Sequence, residues 1–285
     1  LNMDSYSLFA GTSWFFVDPR MNKTLDYLFI DEAGQVALGT TIANATSADN
    51  LVLIGDQMQL SQPMRAKHEG YARMSSLDFI LEDDDTISTD KGVFLNVTRR
   101  LNKKICNYIS TSFYDSRLTS DPITETRSVN LKLDPIKDEG LFYVPIDHNG
   151  CSQRSDEEAD LVEKVFNKIV NKEYKSENIT GKISAKDIMV VAPYNAQANN
   201  IRERLKKKFK DDVRVGTIDL FQGQEAKVVL ISMTTSDVES LPRHKDFFFS
   251  RNRLNVAISR AECVAIIIFN ENLLLASASN IKEMK

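Results

Sequence analysis

The sequence contains few of the residues that form disulfides or bind metals. Its 285 residues include three cysteines and three histidines, and Cys106, Cys151 and Cys263 are widely separated. An odd number of scattered cysteines predicts no disulfide framework, and none of them has the spacing of a zinc site. The cysteine content is typical of a reducing compartment, and we expect a cytoplasmic protein.

Long apolar runs are also absent. No stretch of about 18 apolar residues occurs, so no membrane-spanning helix is expected. Residues Leu1–Ser5 do not form a basic segment followed by an apolar core, so no signal peptide is expected. With 42% hydrophobic and 27% charged residues, the composition indicates a globular protein with one large or two ordinary domains.

The chain also lacks a strong positive charge. Its net charge is −4 at pH 7, which is not typical of nucleic-acid-binding proteins, so any such binding needs a local groove. Residues 202–210 form the densest basic stretch, with six lysines and arginines. Ile201, Leu205 and Phe209 recur every four residues, which predicts a helix with one buried face. Its basic outer face is more simply explained as solvated surface than as a binding site.

Apolar segments alternate with amphipathic helical patterns along the chain. The clearest helix begins at Ser155, where Ser155 and Glu158 have the spacing of a capping box, and apolar residues then recur at helical spacing up to Ile169. Strands that alternate with helices predict βαβ units and a parallel sheet, so the predicted fold class is α/β. The segments predicted as strands are 26–30, 51–54, 93–97, 141–145, 188–192, 213–218, 228–233 and 263–269.

Acidic and amide residues follow the first two of these strands. Asp31 and Glu32 come directly after the first strand, and Gly55, Asp56 and Gln59 follow the second. The carboxyl ends of buried parallel strands are where α/β proteins bind nucleotides. The acid pair has the form of a Walker B box, in which the Asp holds Mg²⁺ through water and the Glu activates the attacking water. The pair therefore predicts a protein that hydrolyses nucleoside triphosphates.

The phosphate-binding loop of such proteins is missing from the sequence. The pattern G-x-x-x-x-G-K-[ST] occurs nowhere, and Gly181-Lys182 lacks the earlier glycine and the following hydroxyl residue. The part of the chain before residue 88 also has only two confident strands, which is too few for a stable α/β domain. We therefore expect an upstream region that supplies the loop.

Four further segments complete an ordered series of motifs. They are Phe94–Leu101, Val191–Gln197, Val215–Glu225 and Arg253–Ala261. Together with the two strand ends, they resemble motifs II, III, IV, IVa, V and VI of superfamily 1 helicases, and most of all the nonsense-mediated-decay helicase branch. Ala10–Trp14, Lys67–Gly70 and Pro145–Gly150 are similar to bacterial proteins that fuse a RecB-like nuclease to such a helicase.

The resemblance implies a RecA-like fold of the P-loop NTPase type, with parallel sheets. Residues 1–88 would be the C-terminal part of one RecA-like domain, and residues 89–285 would be a second, complete domain. ATP would bind between the two domains, and a single strand of nucleic acid would cross both. The upstream region would carry the phosphate-binding loop and, as in the fusion proteins, a RecB-like nuclease.

The resemblance also implies roles in ATP hydrolysis. Asp31 would bind Mg²⁺, Glu32 would act as the base, and Gln59 would sense the γ-phosphate. Arg100 and Arg260 would neutralise the charge that spreads over the γ-phosphate oxygens during phosphoryl transfer. The structural alternatives are a helix start for the acid pair, a loop amide for Gln59 and surface ion pairs for the arginines.

Four more residues match nucleotide-binding positions of the family. Glu225 would bind the ribose, and Gly223 would permit close approach of the backbone. Arg253 would either bind nucleotide or form a structural salt bridge. Arg99 stands where the family usually has an aromatic residue that stacks on adenine, and a guanidinium plane can also stack on a base.

Another group matches positions where the family contacts the nucleic-acid strand. These residues are Thr12, Pro193, Tyr194, Thr217 and Asp219. Short polar side chains and backbone N–H groups at strand ends bind phosphates without reading sequence. For Tyr194, a place in the core is an equal alternative, and Trp14 is expected to pack rather than to stack on a base.

These observations give two classes of function. The first is an ATP-dependent helicase or translocase on single-stranded nucleic acid, preferably DNA, moving five-prime to three-prime and acting in DNA repair or processing. An RNA helicase of the same fold is an alternative, because backbone contacts do not separate the two sugars. The second class is a non-catalytic nucleic-acid-binding module, against which the complete set of predicted catalytic residues argues.

Overall fold

The computed structural model describes residues 5–60, 70–82, 84–177, 179–236 and 250–275. Two of the segments discussed above, Leu1–Ser5 and Lys67–Gly70, lie largely outside these ranges. The chain divides into two units, Leu1–Val93 and Phe94–Lys285, each with its own hydrophobic core. Within the described residues, no helix has both the length and the apolar character needed to cross a membrane.

The division between the units falls a few residues after the position near 88 at which the sequence predicts a domain boundary. Ile87 packs against the hydrophobic core of the first unit. The Lys91 ammonium group donates a hydrogen bond to the Ile80 carbonyl at 2.9 Å. The segment that leads to the division is therefore attached to the first unit.

The first unit is built around two parallel strands. They are β1 (Leu25–Ile30) and β2 (Ala48–Leu53), paired in register from Leu25 opposite Ala48 to Ile30 opposite Leu53. The remaining elements are helices α1 (Ser13–Phe16), α2 (Leu38–Ala45) and α3 (Ser76–Leu81), and 3-10 turns at Pro19–Met21, Ala33–Gln35 and Gly70–Arg73. Helix α2 connects the strands, as the βαβ pattern predicts.

Among the described residues, other elements pack on one face of this strand pair and leave the other face exposed. Leu28 and Ile30 are buried in the core, whereas Tyr27 and Phe29, which alternate with them, are 58% and 62% exposed. Parallel strands are normally buried on both faces, which is why the whole apolar run was expected to be buried. That expectation is wrong for the described residues, because only the Leu28 face packs against other elements.

The second unit contains a five-stranded parallel sheet. The strands of the whole second unit, in chain order, are β3 (Val97–Thr98), β4 (Thr119–Ser120), β5 (Ser128–Val129), β6 (Gly140–Pro145), β7 (Glu173–Ser176), β8 (Ile179–Lys182), β9 (Ile188–Val191), β10 (Arg214–Gly216), β11 (Ala226–Ser232) and β12 (Ala261–Phe269). The main sheet has the order β10-β9-β11-β12-β6, and every neighbouring pair is parallel. Strands β5, β7 and β8 form a small antiparallel sheet.

Helices cover both faces of the main sheet. They are α4 (Lys103–Phe113), α5 (Asp156–Ile169), α6 (Asn195–Phe209) and α7 (Arg251–Ser259). Helices α5 and α6 share a core with the strand side chains of one face of the sheet. Met189 and Val229 alternate with those side chains along their strands, and they are also fully buried. Helices α4 and α7 contact the central strands as well. This confirms the predicted α/β class with parallel sheets, and the arrangement is that of a RecA-like fold.

The predicted strand 93–97 is mostly absent. Only Val97–Thr98 is a strand, and it pairs with Thr119–Ser120 outside the main sheet. Val93 and Leu95 are 83% and 78% exposed, so these apolar side chains do not enter a core. Apolar content predicted a longer strand here than burial supports.

The helix predicted at the basic stretch is confirmed as α6. Ile201 and Leu205 are buried, and Phe209 packs against the same core. Arg204 pairs with Asp156 at 2.8 Å, and other basic side chains of the helix also have partners within this unit. The basic face therefore has a structural explanation.

Helix α5 begins after Ser155, as predicted, but half of the predicted capping box is missing. The Ser155 hydroxyl accepts a hydrogen bond from the Glu158 N–H at 3.0 Å. The Glu158 carboxylate does not accept the second hydrogen bond of a capping box, from the Ser155 N–H. It lies 3.0 Å from Nε2 of His148 and accepts hydrogen bonds from the Ser232 hydroxyl at 2.5 Å and the Thr234 N–H at 2.8 Å. The carboxylate thus joins α5 to the end of β11, and the Glu158 and His148 side chains are fully buried.

We expect a chain of residues 94–285 to fold by itself. Its sheet is covered on both faces, and a core of this kind supports cooperative unfolding. A chain of residues 1–93 should not fold alone, because two strands with one uncovered face bury too little apolar surface. Urea unfolding followed by circular dichroism measures both. A cooperative transition for residues 1–93, or none for residues 94–285, would contradict this expectation.

Candidate functional site

Main-chain hydrogen bonds join the two strand ends of the first unit. The Ile54 N–H donates to the Ile30 carbonyl at 2.9 Å, and the Ala33 N–H donates to the Ile54 carbonyl at 2.8 Å. Gly55 makes this approach possible, because a Cβ there would lie 2.8 Å from the Ala33 nitrogen. The acid pair after β1 and the polar loop after β2 therefore lie at one edge of the strand pair.

Asp31 and Glu32 are both exposed at this edge. Oδ1 of Asp31 accepts a hydrogen bond from the Glu32 N–H at 2.9 Å, and Oε2 of Glu32 accepts one from Nε2 of Gln35 at 3.0 Å. Glu32 has φ 53° and ψ 39°, in the left-handed region. This conformation is uncommon for a residue other than glycine, and such strain concentrates at functional sites. The two carboxylates are thus held by local bonds and open to a ligand.

The loop after β2 is organised by Asp56. Its Oδ1 accepts a hydrogen bond from the Met58 N–H at 2.9 Å, and its Oδ2 accepts one from Nε2 of Gln59 at 3.0 Å. Asp56 thus shapes the turn, and it orients the Gln59 amide.

The residues of this edge suit a magnesium ion that arrives with a nucleotide. Among the described residues, no group of three or more His, Cys, Asp or Glu could hold a metal ion. Mg²⁺ at nucleotide sites needs one or two carboxylates, and phosphates and water supply the remaining ligands. The exposed carboxylate of Asp31 fits that requirement.

In the second unit, Arg100 and Glu225 are direct partners. Nε of Arg100 lies 2.9 Å from Oε2 of Glu225, and the two side chains are 33% and 53% exposed. Nη1 of Arg100 also donates to the Ser259 carbonyl at 3.5 Å. The resemblance to the helicase family implies positions at different ends of the nucleotide for these two residues, and nothing in the sequence indicates that they pair.

Arg260 lies beside the same pair. It is 3% exposed at the end of α7, and its Nη1 donates to the Gln224 carbonyl at 3.2 Å. The structure therefore brings Arg100, Arg260 and Glu225 together within the second unit. Arg99, in contrast, has an 88% exposed side chain that lies 3.3 Å from Asp121.

Two other predicted nucleotide-binding residues have structural explanations. Gly223 has φ 73°, which favours glycine, and a Cβ there would meet no atom of the described residues within 4 Å. Its glycine is thus explained by the turn and not by close packing within the chain. Nη1 of Arg253 lies 3.5 Å from Oδ2 of Asp219, which is the salt bridge that the sequence left open.

The predicted strand-contacting residues of the second unit lie at the carboxyl ends of its strands. Pro193 and Tyr194 lie between β9 and α6, and half-buried Thr217 precedes the 3-10 turn after β10. The Tyr194 hydroxyl is buried, burial raises the pKa of Tyr194, and the Thr235 side chain opposes this shift. Pro193 lines an apolar pocket together with residues of β11 and α7. Tyr194 thus has a packed hydroxyl, while its backbone remains at the edge of the sheet.

In the first unit, Thr12 and Trp14 lie at the start of α1. Thr12 is exposed and occupies the position before the helix. Trp14 was expected to pack, but it is 85% exposed, and this expectation is wrong. Helix α1 is only four residues long, and Phe16 supplies its buried side chain.

Sequence reasoning missed Arg127 and Glu262. Nη1 of Arg127 donates to the main-chain carbonyl of Arg100 at 2.8 Å, and it lies 3.7 Å from Oε2 of Glu262. Burial raises the pKa of Glu262, and the charge of Arg127 opposes this shift. Neither residue belongs to a motif, and no spacing in the sequence connects them to Arg100.

The parallel sheets and the acid pair at a strand end define a RecA-like α/β protein. A family model described as an AAA domain, AAA_12, matches residues 76–272. The chain belongs to this AAA domain family.

Similar proteins with described functions are helicases. The chain is 29% identical over 262 residues to the DNA polymerase alpha-associated DNA helicase A of Schizosaccharomyces pombe, covering 88% of this chain and 38% of that protein. It is 24% identical over 300 residues to the DNA replication ATP-dependent helicase/nuclease JHS1 of Arabidopsis thaliana, covering 95% of this chain and 21% of that protein. The chain thus spans well under half the length of these relatives.

Among solved structures, the chain is similar to that of the PRRSV helicase. The TM-score is 0.40 with 19% sequence identity, and the similarity covers 86% of this chain and 34% of that one.

Proposed function

We propose that this chain is the C-terminal portion of an ATP-dependent superfamily 1 helicase or translocase that acts on single-stranded nucleic acid. The observation that carries the proposal is the joined edge of the first unit, where the exposed acid pair Asp31 and Glu32 lies next to the loop that orients Gln59. An acid pair and an amide at adjacent parallel strand ends are the groups that bind metal, activate water and respond to the γ-phosphate.

Each unit contributes its own groups to the reaction. In the first, Asp31 would hold Mg²⁺, Glu32 would accept the proton of the attacking water, and Gln59 would respond to the γ-phosphate. In the second, Arg100 and Arg260 neutralise charge on the transferring phosphoryl group. When bound, Mg²⁺ would neutralise much of the negative charge of the phosphate oxygens. Nucleotide binding and hydrolysis then change the affinity for the nucleic-acid strand.

The remaining nucleotide and strand contacts complete this assignment. Glu225 binds the ribose, Gly223 forms the adjacent turn, and Arg99 stacks on the base. Arg253 acts through its pairing with Asp219. The strand-contacting residues that we propose are Thr12, Pro193, Tyr194, Thr217 and Asp219.

An upstream region completes the first RecA-like domain in this proposal. The support is the exposed face of β1, where Tyr27 and Phe29 need a covering layer that the described residues do not provide. That region would also supply the phosphate-binding loop, whose pattern occurs nowhere in the sequence. A fused RecB-like nuclease stays a prediction from the resemblance, and one relative is named as a helicase/nuclease.

We propose single-stranded DNA as the substrate, translocation five-prime to three-prime, and a role in DNA repair or processing. Relatives named as DNA helicases favour DNA over RNA. An RNA helicase of the same fold is the alternative, and competition between DNA and RNA strands of one sequence in a binding assay separates the two. A cytoplasmic location stays a prediction from the cysteine content.

We expect this chain alone to hydrolyse ATP at a negligible rate, because the phosphate-binding loop pattern and its lysine occur nowhere in its sequence. The full-length natural protein should show ATPase activity stimulated by single-stranded DNA, and Glu32→Gln should abolish that activity. Steady-state turnover with saturating strand measures both. Turnover by this chain that Glu32→Gln abolishes would contradict the need for an upstream loop. An inactive full-length protein that binds strand would favour the non-catalytic alternative.

A further inference from the structure

In the second unit, two consecutive main-chain carbonyl groups, those of Arg100 and Leu101, both accept hydrogen bonds from one neighbouring segment. Arg127 donates to the Arg100 carbonyl at 2.8 Å, and the Thr124 hydroxyl donates to the Leu101 carbonyl at 2.7 Å. Both donors come from the segment that precedes β5. Thr124 is fully buried, and the Arg127 side chain is 18% exposed. The main chain at Arg100 is therefore fixed from the side by a neighbouring segment.

The same stretch is also attached to β12. The Asn102 N–H donates to the Glu262 carbonyl at 3.1 Å, and the Asn102 side-chain amide donates to the Cys263 carbonyl at 2.9 Å. The Glu262 carboxylate lies 3.7 Å from Arg127. Arg127 thus connects the Arg100 carbonyl with a carboxylate at the start of a central strand.

The Arg100 side chain is held much less firmly than its main chain. Its guanidinium group binds the half-exposed carboxylate of Glu225 and a more distant carbonyl, that of Ser259. Exposed ion pairs of this kind contribute little stability and exchange partners readily. A fixed backbone with a releasable side chain is what a group needs if it must reach the same point in each catalytic cycle.

Fold stability alone does not account for an arginine at position 127. Its Nε is buried and has no hydrogen-bond partner among the described residues. An unsatisfied buried donor on a charged group costs stability. A smaller residue that bonded only to the Arg100 carbonyl would avoid this cost, whereas the guanidinium can reach both the carbonyl and Glu262.

We propose that Arg127 is a positioning residue for Arg100, and that it sets the place from which the Arg100 guanidinium acts on the phosphoryl group. This inference rests on the proposed ATPase function and on the role of Arg100 in it. Arg127 itself does not contact nucleotide or nucleic acid. Its effect passes through the main chain at position 100.

The test is a double-mutant cycle in the full-length natural protein. Arg127→Met should lower kcat for ATP by on the order of 10- to 100-fold, because a misplacement of about 1 Å costs up to about 100-fold. KM for ATP and strand affinity without nucleotide should stay within about twofold. In an Arg100→Ala background, Arg127→Met should have no further effect on kcat, because the group that it positions is gone. Arg127→Lys should recover part of the activity, since an ammonium group reaches one of the two oxygen acceptors.

Arg204→Met is the matched control. Arg204 is 23% exposed and pairs with the half-exposed carboxylate of Asp156 within the same unit, so its loss removes an arginine ion pair that does not involve Arg100. Its effect on kcat should be small and should add to that of Arg100→Ala. If Arg127→Met leaves kcat normal, or lowers it equally with and without Arg100, the positioning role is wrong. A wild-type protein without strand-stimulated ATPase activity would overturn the proposed function and this inference with it.

Discussion

Arg260→Ala in the full-length natural protein should lower kcat for ATP hydrolysis by at least about 100-fold. Arginines that neutralise the γ-phosphate in the transition state contribute on the order of 10³ to 10⁵ in rate. Arg260 is held for such a role by its place at the end of α7 and by its hydrogen bond to the Gln224 carbonyl, next to Glu225. Strand affinity without nucleotide should change little. Steady-state ATPase assays and strand-binding titrations measure the two quantities.

Three variants separate a catalytic loss from a structural one. Arg260→Lys keeps a positive charge but lacks the bidentate fork, so it should recover little activity. Arg100→Ala should behave like Arg260→Ala, and the double variant should be little worse than either one if both act on the same transition state. Because Arg260 is 3% exposed, thermal unfolding of each variant must accompany the kinetics. Normal turnover with lost strand binding would remove Arg260 from the ATP reaction.

The fold class could be predicted from the sequence because strands that are buried in a parallel sheet are nearly continuous apolar segments. Val228–Ile231 and Cys263–Phe269 are continuous apolar runs, and they lie in the central strands β11 and β12. The segment 93–97 has a similar composition but lies mostly outside any sheet. Composition reports the preference of a segment for burial, and only the rest of the fold decides whether a core is there to receive it.

The candidate site was predictable only where function requires a fixed spacing along the chain. Asp31, Glu32 and Gln59 follow strands, and their positions could be read from the apolar runs before them. The pairing of Arg100 with Glu225 joins residues 125 positions apart, and it depends on how β11 and the segment before α4 meet. Arg127 was missed for the same reason, because its partner is a main-chain carbonyl, which has no signature in a sequence.

The largest loss of stability should come from a residue outside the proposed site. Glu158→Ala should lower the free energy of unfolding of the second unit by about 3–5 kcal/mol, because several buried polar groups lose a hydrogen-bond partner at about 1–3 kcal/mol each. His148, Ser232 and Thr234 all direct polar groups at the Glu158 carboxylate, and its loss would leave them buried without that partner. Urea unfolding of residues 94–285, with a constant m value, measures the change.

The neighbouring acid on α5 provides a matched control for this loss. Glu157 is exposed, its carboxylate accepts a hydrogen bond from the Ser155 hydroxyl at 3.0 Å, and Glu157→Ala should change the free energy of unfolding by no more than about 1 kcal/mol. Glu158→Gln should lie between wild type and Glu158→Ala, because one amide oxygen cannot replace both carboxylate oxygens as acceptors for three donors. In the background of His148→Ala, the effect of Glu158→Ala should shrink, because the two residues share one network. If Glu158→Ala and Glu157→Ala are equally stable, the buried network around Glu158 does not stabilise this unit. The contact between α5 and the end of β11 would then be stabilised by other interactions.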